Sequence, residues 1–124
     1  MKIFLDTSLL SDPKLAEIST EIGRRRLEGD EFYVSVITHF ELTWGYLIAG
    51  RSIEKYEAFL NTTRIDVVVL SKTDAEEAAS ARPDKKDVLD SLVAASAKRL
   101  DAIVWTVDRD FLKYLTKSKV RIFR

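Results

Sequence analysis

Short apolar runs alternate along the chain with longer segments in which apolar residues recur every three or four positions. The runs have the length and the β-branched content of strands, and the longer segments have the period of helices that bury one face. The predicted strands are residues 2–5, 32–36, 65–70, 102–106 and 120–123. Three successive valines in the third run indicate a strand buried on both faces.

Capping residues, glycines and prolines mark the ends of the predicted helices. Asp12 and Pro13 form an N-cap followed by proline at the first helical position, and that helix is predicted to end before Gly29. A capping box at residues 73–76 begins a helix that must end before Pro83. The other helices are predicted at residues 37–49, 52–61, 87–100 and 109–116. This alternation predicts one α/β domain over residues 1–124, with a mostly parallel sheet and right-handed crossovers.

Composition excludes several classes of protein. The 124 residues carry 20 basic and 20 acidic side chains, no cysteine and one histidine, His39. A disulfide framework, a cysteine-ligated metal site and a histidine-rich metal site are therefore excluded. No apolar run could span a bilayer, and Asp6 comes too early for a signal peptide, so we expect a cytoplasmic protein. Scarce Asn, Gln and Met with abundant charge favour a thermophilic source.

The last fourteen residues are strongly basic, although the chain as a whole is neutral. Residues 111–124 contain five basic side chains and no acid. The five are Lys113, Lys117, Lys119, Arg121 and Arg124. This basic segment could contact the phosphates of a nucleic acid, or it could be a solvated surface, and both interpretations stay open.

Two acids directly follow predicted strands. Asp6 follows the first strand, and Asp108 follows the fourth, with Asp110 two residues later. Ligands of parallel α/β sheets bind outside the carboxyl ends of the strands, so both positions suit a site. Each acid is also a common turn or helix-capping residue.

Two further acids lie on inward faces of predicted helices. Glu41 is the only acid in residues 37–49, and its neighbours at helical spacing are apolar. A carboxylate there needs either a buried salt bridge or a metal ion. Asp90 lies in line with Ala94 and Ala97, in a first turn where the helix dipole favours an anion. Asp87 is the better cap of that helix.

If these four acids converge, they repel one another. Two carboxylates 4 Å apart at an effective dielectric constant near 20 repel by about 4 kcal/mol. Hard divalent cations with oxygen ligands relieve this repulsion, and a cage of carboxylates suits Mg²⁺ or Mn²⁺. Such ions commonly bind phosphate oxygens and activate water for in-line displacement.

Four segments, in this order, resemble the PIN-domain family and within it the VapC-type toxin nucleases of prokaryotic toxin–antitoxin pairs. They are Leu5-Asp6-Thr7-Ser8, residues 34–45 (VSVITHFELTWG), residues 90–95 (DSLVAA) and residues 106–111 (TVDRDF). The resemblance implies a five-stranded parallel sheet flanked by helices, an RNase-H-like acidic pocket and Mg²⁺- or Mn²⁺-dependent cleavage of RNA. It also implies a homodimer and a cognate antitoxin protein that covers the active groove, and Trp44, Tyr46 and Leu47 could cover a partner.

The same resemblance assigns roles to individual residues. Asp6 and Asp108 would hold the metal most directly, Asp90 would share that role, and Glu41 would bind the metal or orient its water. Asp110 would be an auxiliary acid, and Thr7 and Thr106 would hydrogen-bond the carboxylates or a phosphate. The chain departs from many relatives in its short, charged residues 81–89. That departure makes Asp87 a rival to Asp90.

Two other functions compete with a nuclease. A non-catalytic module could bind nucleic acid or a protein through the basic segment, without a metal and without a product. A phosphatase or phospho-acceptor of another α/β family could use Asp6. The second is disfavoured because Asp6-Thr7-Ser8 lacks a second aspartate two residues on.

Overall fold

The computed structural model describes residues 1–11 and 14–124, so the predicted Asp12–Pro13 cap lies outside the described residues. The strands are β1 (Lys2–Leu5), β2 (Glu31–Ser35), β3 (Asp66–Val68), β4 (Ile103–Thr106) and β5 (Val120–Ile122). The α-helices are α1 (Thr7–Leu10), α2 (Lys14–Leu27), α3 (Val36–Ile48), α4 (Glu54–Thr63), α5 (Lys72–Ser80) and α6 (Val88–Arg99). Single 3₁₀ turns occupy Lys85–Asp87, Arg109–Lys113 and Lys117–Lys119.

Within the described residues the strands form one five-stranded sheet in the order β3-β2-β1-β4-β5. Every neighbouring pair is parallel. The predicted fold class, a five-stranded parallel sheet flanked by helices, is confirmed. Side chains of the central strand β1 alternate between two cores: Ile3 and Leu5 pack in one, and Phe4 packs in the other against α6. This alternation fixes β1 and the neighbouring β4 as the rigid centre of the molecule.

The prediction of a strand buried on both faces at residues 65–70 is wrong. Only Asp66–Val68 forms a strand, and it lies at the edge of the sheet. Val67 is 38% exposed and Val69 is 70% exposed. Successive valines favour an extended backbone, but they do not determine whether the strand takes a central or an edge position.

Two local predictions also need correction. The capping box of α5 begins at Ser71, whose hydroxyl accepts from the Asp74 N–H while the Asp74 carboxylate accepts from the Ser71 N–H. The box predicted at residues 73–76 lies inside the helix instead. The one-turn helix α1 was not predicted, because four residues are too few to show a helical period. Residues 109–116 begin with a 3₁₀ turn rather than an α-helix.

A buried ion pair joins α5 to α6. Arg99 donates to both carboxylate oxygens of Asp74, from Nε at 2.9 Å and from Nη2 at 3.0 Å, and the Ser96 hydroxyl donates at 2.9 Å. Burial raises the pKa of Asp74, but the bonds from Arg99, from the Ser71 backbone and from Ser96 outweigh burial and lower it to about 2. Asp74 is therefore a structural acid that already has its cation.

One buried hydroxyl on α3 has no hydrogen-bond partner among the described residues. Thr38 is fully buried, and its Oγ1 is unpaired there. We expect Thr38→Val to raise the free energy of unfolding by about 1 kcal/mol, because valine has the same shape and removes an unsatisfied polar atom. Urea unfolding followed by circular dichroism measures the change. A clear loss of stability would show that the hydroxyl has a partner in solution.

Within residues 1–11 and 14–124, no helix is both long and apolar enough to cross a membrane.

Candidate metal centre

The candidate site lies at the carboxyl ends of the two central strands. Leu5 of β1 is in register with Trp105 of β4, and the Asp6 N–H donates to the Trp105 carbonyl at 3.0 Å. Asp6 therefore leaves the sheet beside the end of β4, and Asp108 follows that strand by two residues. Strand pairing alone brings these two acids to one edge, as the sequence predicts.

The Asp6 side chain is held by two hydroxyl groups. Asp6 occupies the N-cap position of α1, but its side chain makes no capping hydrogen bond. Its Oδ2 atom instead accepts from Ser8 Oγ and from Thr106 Oγ1, each at 2.8 Å. The carboxylate is only 6% exposed. The predicted hydrogen bond from Thr106 is confirmed, and the interpretation of Asp6 as a side-chain cap is not.

The same two hydroxyls connect Asp6 to the backbone before Asp108. Ser8 Oγ accepts from the Val107 N–H at 3.1 Å, and Thr106 Oγ1 accepts from the Asp108 N–H at 2.9 Å. Because each hydroxyl donates to Asp6 and accepts from the β4 end, the position of Asp108 is coupled to that of Asp6. The sequence analysis gave Ser8 no role. Its spacing of two residues from an acid at a helix start is the signal that could have found it.

Asp108 combines capping with a position in the site. Its Oδ1 atom accepts from the Asp110 N–H at 2.8 Å and so caps the 3₁₀ turn Arg109–Lys113. The capping interpretation is thus correct for this residue, and it fixes the direction of the carboxylate. The Asp110 carboxylate lies 3.4 Å from Lys113 Nζ. Asp110 therefore has a cation beside it, and its expected auxiliary role in the site stays a prediction.

Glu41 reaches the site from α3. Its Oε1 atom accepts from Thr7 Oγ1 at 2.9 Å, which confirms the predicted hydrogen bond from that threonine. In the described part of the chain, no lysine or arginine forms a salt bridge with Glu41, so the buried ion pair that the sequence left open is not observed there. Burial raises the pKa of Glu41, and the negative charge of Asp6 adds to that rise. The hydrogen bond from Thr7 lowers the pKa, but the pKa stays above the ordinary value of a glutamate.

Asp90 reaches the site from the first turn of α6. Burial raises the pKa of Asp90 to about 7, together with the negative charges of Asp6, Asp108 and Glu41 and a hydrogen bond shared with Asp108. The negative charges of Asp6, Asp108 and Glu41 thus act on Asp90. The four acids that the sequence singled out therefore interact electrostatically.

Asp87, the predicted rival of Asp90, lies outside this cluster. It stands at the N-cap position of α6 without a side-chain capping bond, so its expected capping role is not observed. Its carboxylate is 2% exposed and accepts from Lys113 Nζ at 2.9 Å. That hydrogen bond lowers the pKa of Asp87, against the effect of burial. Asp87 is a structural acid that ties α6 to the segment after β4.

The basic segment is largely paired with acids of the same chain. Besides the Lys113–Asp87 pair, Lys119 Nζ lies 2.7 Å from Asp101, and Arg121 Nη1 lies 3.1 Å from Glu21. Three of the five basic side chains are thereby partly neutralised. These pairs do not decide between the two interpretations of the segment, contact with phosphates or a solvated surface.

The chemistry of the acid cluster fits a hard divalent cation. It supplies carboxylate oxygens from four separate elements, and no salt bridge to these four acids occurs within residues 1–11 and 14–124. Such oxygens are the ligands of Mg²⁺ and Mn²⁺. As the described side chains stand, no three acids are close enough to hold one ion. The four carboxylates thus interact electrostatically, and ligation would require their side chains to move closer together.

Comparison with solved structures shows the same fold in other proteins. The chain is similar to VapBC-1 from nontypeable Haemophilus influenzae, with 20% identity, a TM-score of 0.72 and 98% of each chain covered. It is also similar to VapBC2 from Rickettsia felis bound to a DNA fragment from their promoter (15% identity, TM-score 0.68, 100% of each chain). FitAcB from Neisseria gonorrhoeae gives 22% identity and a TM-score of 0.64 over 98% of this chain and 96% of that one. No curated protein matches the sequence.

The family itself is identified from the sequence. The profile of the PIN domain matches residues 3–115, which include most of β1, the whole of β2 to β4 and all four acids of the cluster. The match therefore covers nearly the whole chain, together with the elements that position the candidate site. The chain belongs to the PIN domain family.

Proposed function

We propose that this protein is a ribonuclease that hydrolyses phosphodiester bonds of RNA with Mg²⁺ or Mn²⁺, and that it is the toxin of a prokaryotic toxin–antitoxin pair. The observation that carries the proposal is that threonine hydroxyls hold Asp6, Glu41 and the Asp108 backbone where β1 and β4 end. No cation of the described residues pairs with these three acids or with Asp90, on which their charges act. Four unpaired acids in one place destabilise a fold, so their presence favours a function that needs them.

In this proposal each acid has a distinct part. Asp6 and Asp108 hold the metal most directly, because Ser8, Thr106 and the Asp110 N–H already fix their carboxylates. Asp90 shares the metal, and Glu41, oriented by Thr7, binds it or positions the attacking water. A bound divalent ion would supply a Lewis acid for the phosphate and lower the pKa of its water. The chain's own contribution is to fix these oxygens before the substrate arrives.

The proposal includes two binding partners, an antitoxin protein and a second copy of this chain. The solved relatives carry the names of toxin–antitoxin complexes, which supports a cognate antitoxin protein for this chain in the cytoplasm. A homodimer is supported by an apolar surface on α3, where Phe40, Trp44, Leu47 and Ile48 are all more than half exposed. Tyr46, which the sequence grouped with that surface, is instead buried in the core.

The decisive test is divalent-ion-dependent cleavage of single-stranded RNA. We expect products with Mn²⁺ or Mg²⁺, no products in EDTA, and recovery when excess metal is restored. A single-stranded DNA of the same sequence serves as the substrate control. Salt-sensitive RNA binding without any product would favour the alternative, a non-catalytic module that binds through the basic segment.

Metal binding should also stabilise the fold. We expect millimolar Mn²⁺ or Mg²⁺ to raise the Tm, because an ion that binds only the native state stabilises it by about 1.4 kcal/mol at ten times its Kd. Scanning calorimetry with and without EDTA measures the shift, with Na⁺ at equal ionic strength as the control. A Tm that is unchanged across millimolar metal would contradict the assignment.

A further inference from the structure

A pocket opens directly beside Glu41, between α1 and α3. Its volume is about 260 Å³, slightly below the ~300–1,000 Å³ typical of small-molecule sites. Thr7 and Glu41, which belong to the candidate metal centre, form one wall, and Leu42, Tyr46 and Arg51 line other parts of it. The pocket and the acid cluster therefore share side chains and form one continuous surface.

Gly45 has no side chain that could occupy the pocket. This glycine lies in α3 and lines the pocket, and a Cβ placed on it would meet no other atom within 4 Å. A glycine inside a helix costs about 0.5–1 kcal/mol relative to alanine, so a larger residue would be favoured here on helical grounds alone. Because Gly45 lines the pocket, a larger side chain at this position would occupy part of the pocket.

The end of α3 positions the opposite wall. Gly50 has a φ of +66°, a value that suits glycine. In this conformation the Gly50 N–H donates to the Leu47 carbonyl, and the Arg51 N–H donates to the Tyr46 carbonyl at 2.9 Å. This pair of bonds is a Schellman motif. It brings the Arg51 guanidinium over the Tyr46 ring, 5.4 Å from the ring centroid. The result is a planar cation packed on an aromatic ring at the pocket wall.

We propose that this pocket binds one unstacked base of the RNA substrate, next to the phosphate held at the acid cluster, and thereby sets base preference. The inference rests on the proposed nuclease function and deepens it. Single-stranded RNA is commonly recognised by bases that splay out and stack on aromatic rings or on arginine planes. The apolar Leu42 suits a base face, and the hydroxyls of Thr7 and Ser11 suit its polar edge.

The observations favour a base over a protein segment as the occupant. Glu41 belongs both to the pocket and to the candidate metal centre. An RNA whose phosphate lies at the acids would therefore place an adjacent base in the pocket. The Arg51 guanidinium is planar and lies over the Tyr46 ring, so a base could extend this stack in a way that a lysine would not allow. A protein partner requires neither feature.

The test compares a pocket-filling variant with a matched control. Gly45→Leu fills the pocket, and Gly23→Leu makes the same change at a helical glycine of α2 where a Cβ also meets nothing within 4 Å. Cleavage of the four homopolymer RNAs with Mn²⁺, and their binding in EDTA, are measured for both variants and for the wild type. Arg51→Lys, which keeps the charge but loses the plane, provides a second probe of the same pocket.

We expect Gly45→Leu and Arg51→Lys to weaken cleavage and binding of the best homopolymer by about fivefold or more, roughly the size of one base-stacking contact, and so to lower its ratio to the worst one. Gly23→Leu should keep the wild-type ratio. A wild type that cleaves RNA while both pocket variants keep its ratio would overturn the base site and leave the nuclease standing. A pocket variant that keeps the ratio but loses a partner protein would assign the pocket to that protein instead. A wild type that neither cleaves nor binds RNA would overturn both proposals.

Discussion

Asp6→Asn is expected to lower metal-dependent RNA cleavage by at least about a hundredfold, since loss of even an indirect metal contact costs tenfold to a hundredfold. Asp6 is the most enclosed of the four acids, and the hydroxyls of Ser8 and Thr106 orient it. Asparagine keeps one carbonyl oxygen that can accept both of these hydrogen bonds. The substitution therefore removes the charge while leaving the local structure in place.

The matched control is Asp101→Asn. Asp101 precedes β4, at the opposite edge of the sheet, and its positive φ of 53° is one that asparagine adopts readily. Among the described residues, its carboxylate forms a salt bridge with the exposed Lys119. We expect this variant to cleave RNA at the wild-type rate. Initial rates at several Mn²⁺ concentrations separate weakened metal binding from lost turnover, and an Asp6→Asn protein with full activity would contradict the proposed centre.

Asp90→Asn is expected to stabilise the metal-free protein by about 2 kcal/mol at pH 8. The neighbouring acids and burial raise the pKa of Asp90 from its ordinary 3.8 to about 7. That rise corresponds to an upper bound of about 4 kcal/mol. Solvent screening at this partly exposed site lowers the figure, and so does the lost interaction of the charge with the N-terminus of α6.

The stability that Asp90→Asn gains over the wild type should increase with pH. The native state keeps the proton of Asp90 at pH values where the unfolded chain has released it, so native stability falls as the pH rises from about 4 to about 7. The difference between variant and wild type should therefore be near zero at pH 4, grow up to pH 7 and stay constant above it. Urea unfolding in EDTA at several pH values measures this profile.

Asp84→Asn provides the comparison, because it makes the same chemical change at an exposed aspartate that takes no part in the acid cluster. We expect it to show no such rise in stability. In the presence of Mn²⁺ the order should reverse: the wild type gains stability from the ion, whereas Asp90→Asn gains less. An Asp90→Asn protein that is less stable than the wild type at pH 8 in EDTA would contradict the mutual repulsion of these acids.

A stabilising change at a functional acid would illustrate a conflict between fold and function. The cluster places negative charges together where each raises the free energy of the native state. Asp74 and Asp87 show the opposite arrangement, because Arg99 and Lys113 neutralise them. Among residues 1–11 and 14–124, acids without an ion pair at the sheet edge and paired acids elsewhere therefore distinguish a candidate site from the structural framework.

Much of the fold is predictable from local patterning. The strands, the longer helices and the parallel order follow from apolar periodicity, which reports the burial of one face or of both. The predictions that were wrong also came from local patterns in the sequence. The valine run at residues 65–70 has the propensity of a central strand but lies at the edge, and α1 is too short to show a period.

The candidate acids follow from the sequence as well, through their positions after strands and on inward helix faces. Their partners do not, because an ion pair depends on distances between residues far apart in the chain. Asp87 and Asp90 look alike in the sequence, yet folding brings Lys113 to the first and three carboxylates to the second. The pocket beside Glu41 likewise exists only once α1 packs against α3. Chain-local chemistry thus identified which residues are unusual, whereas long-range packing decided which of them find a counter-charge among the described residues.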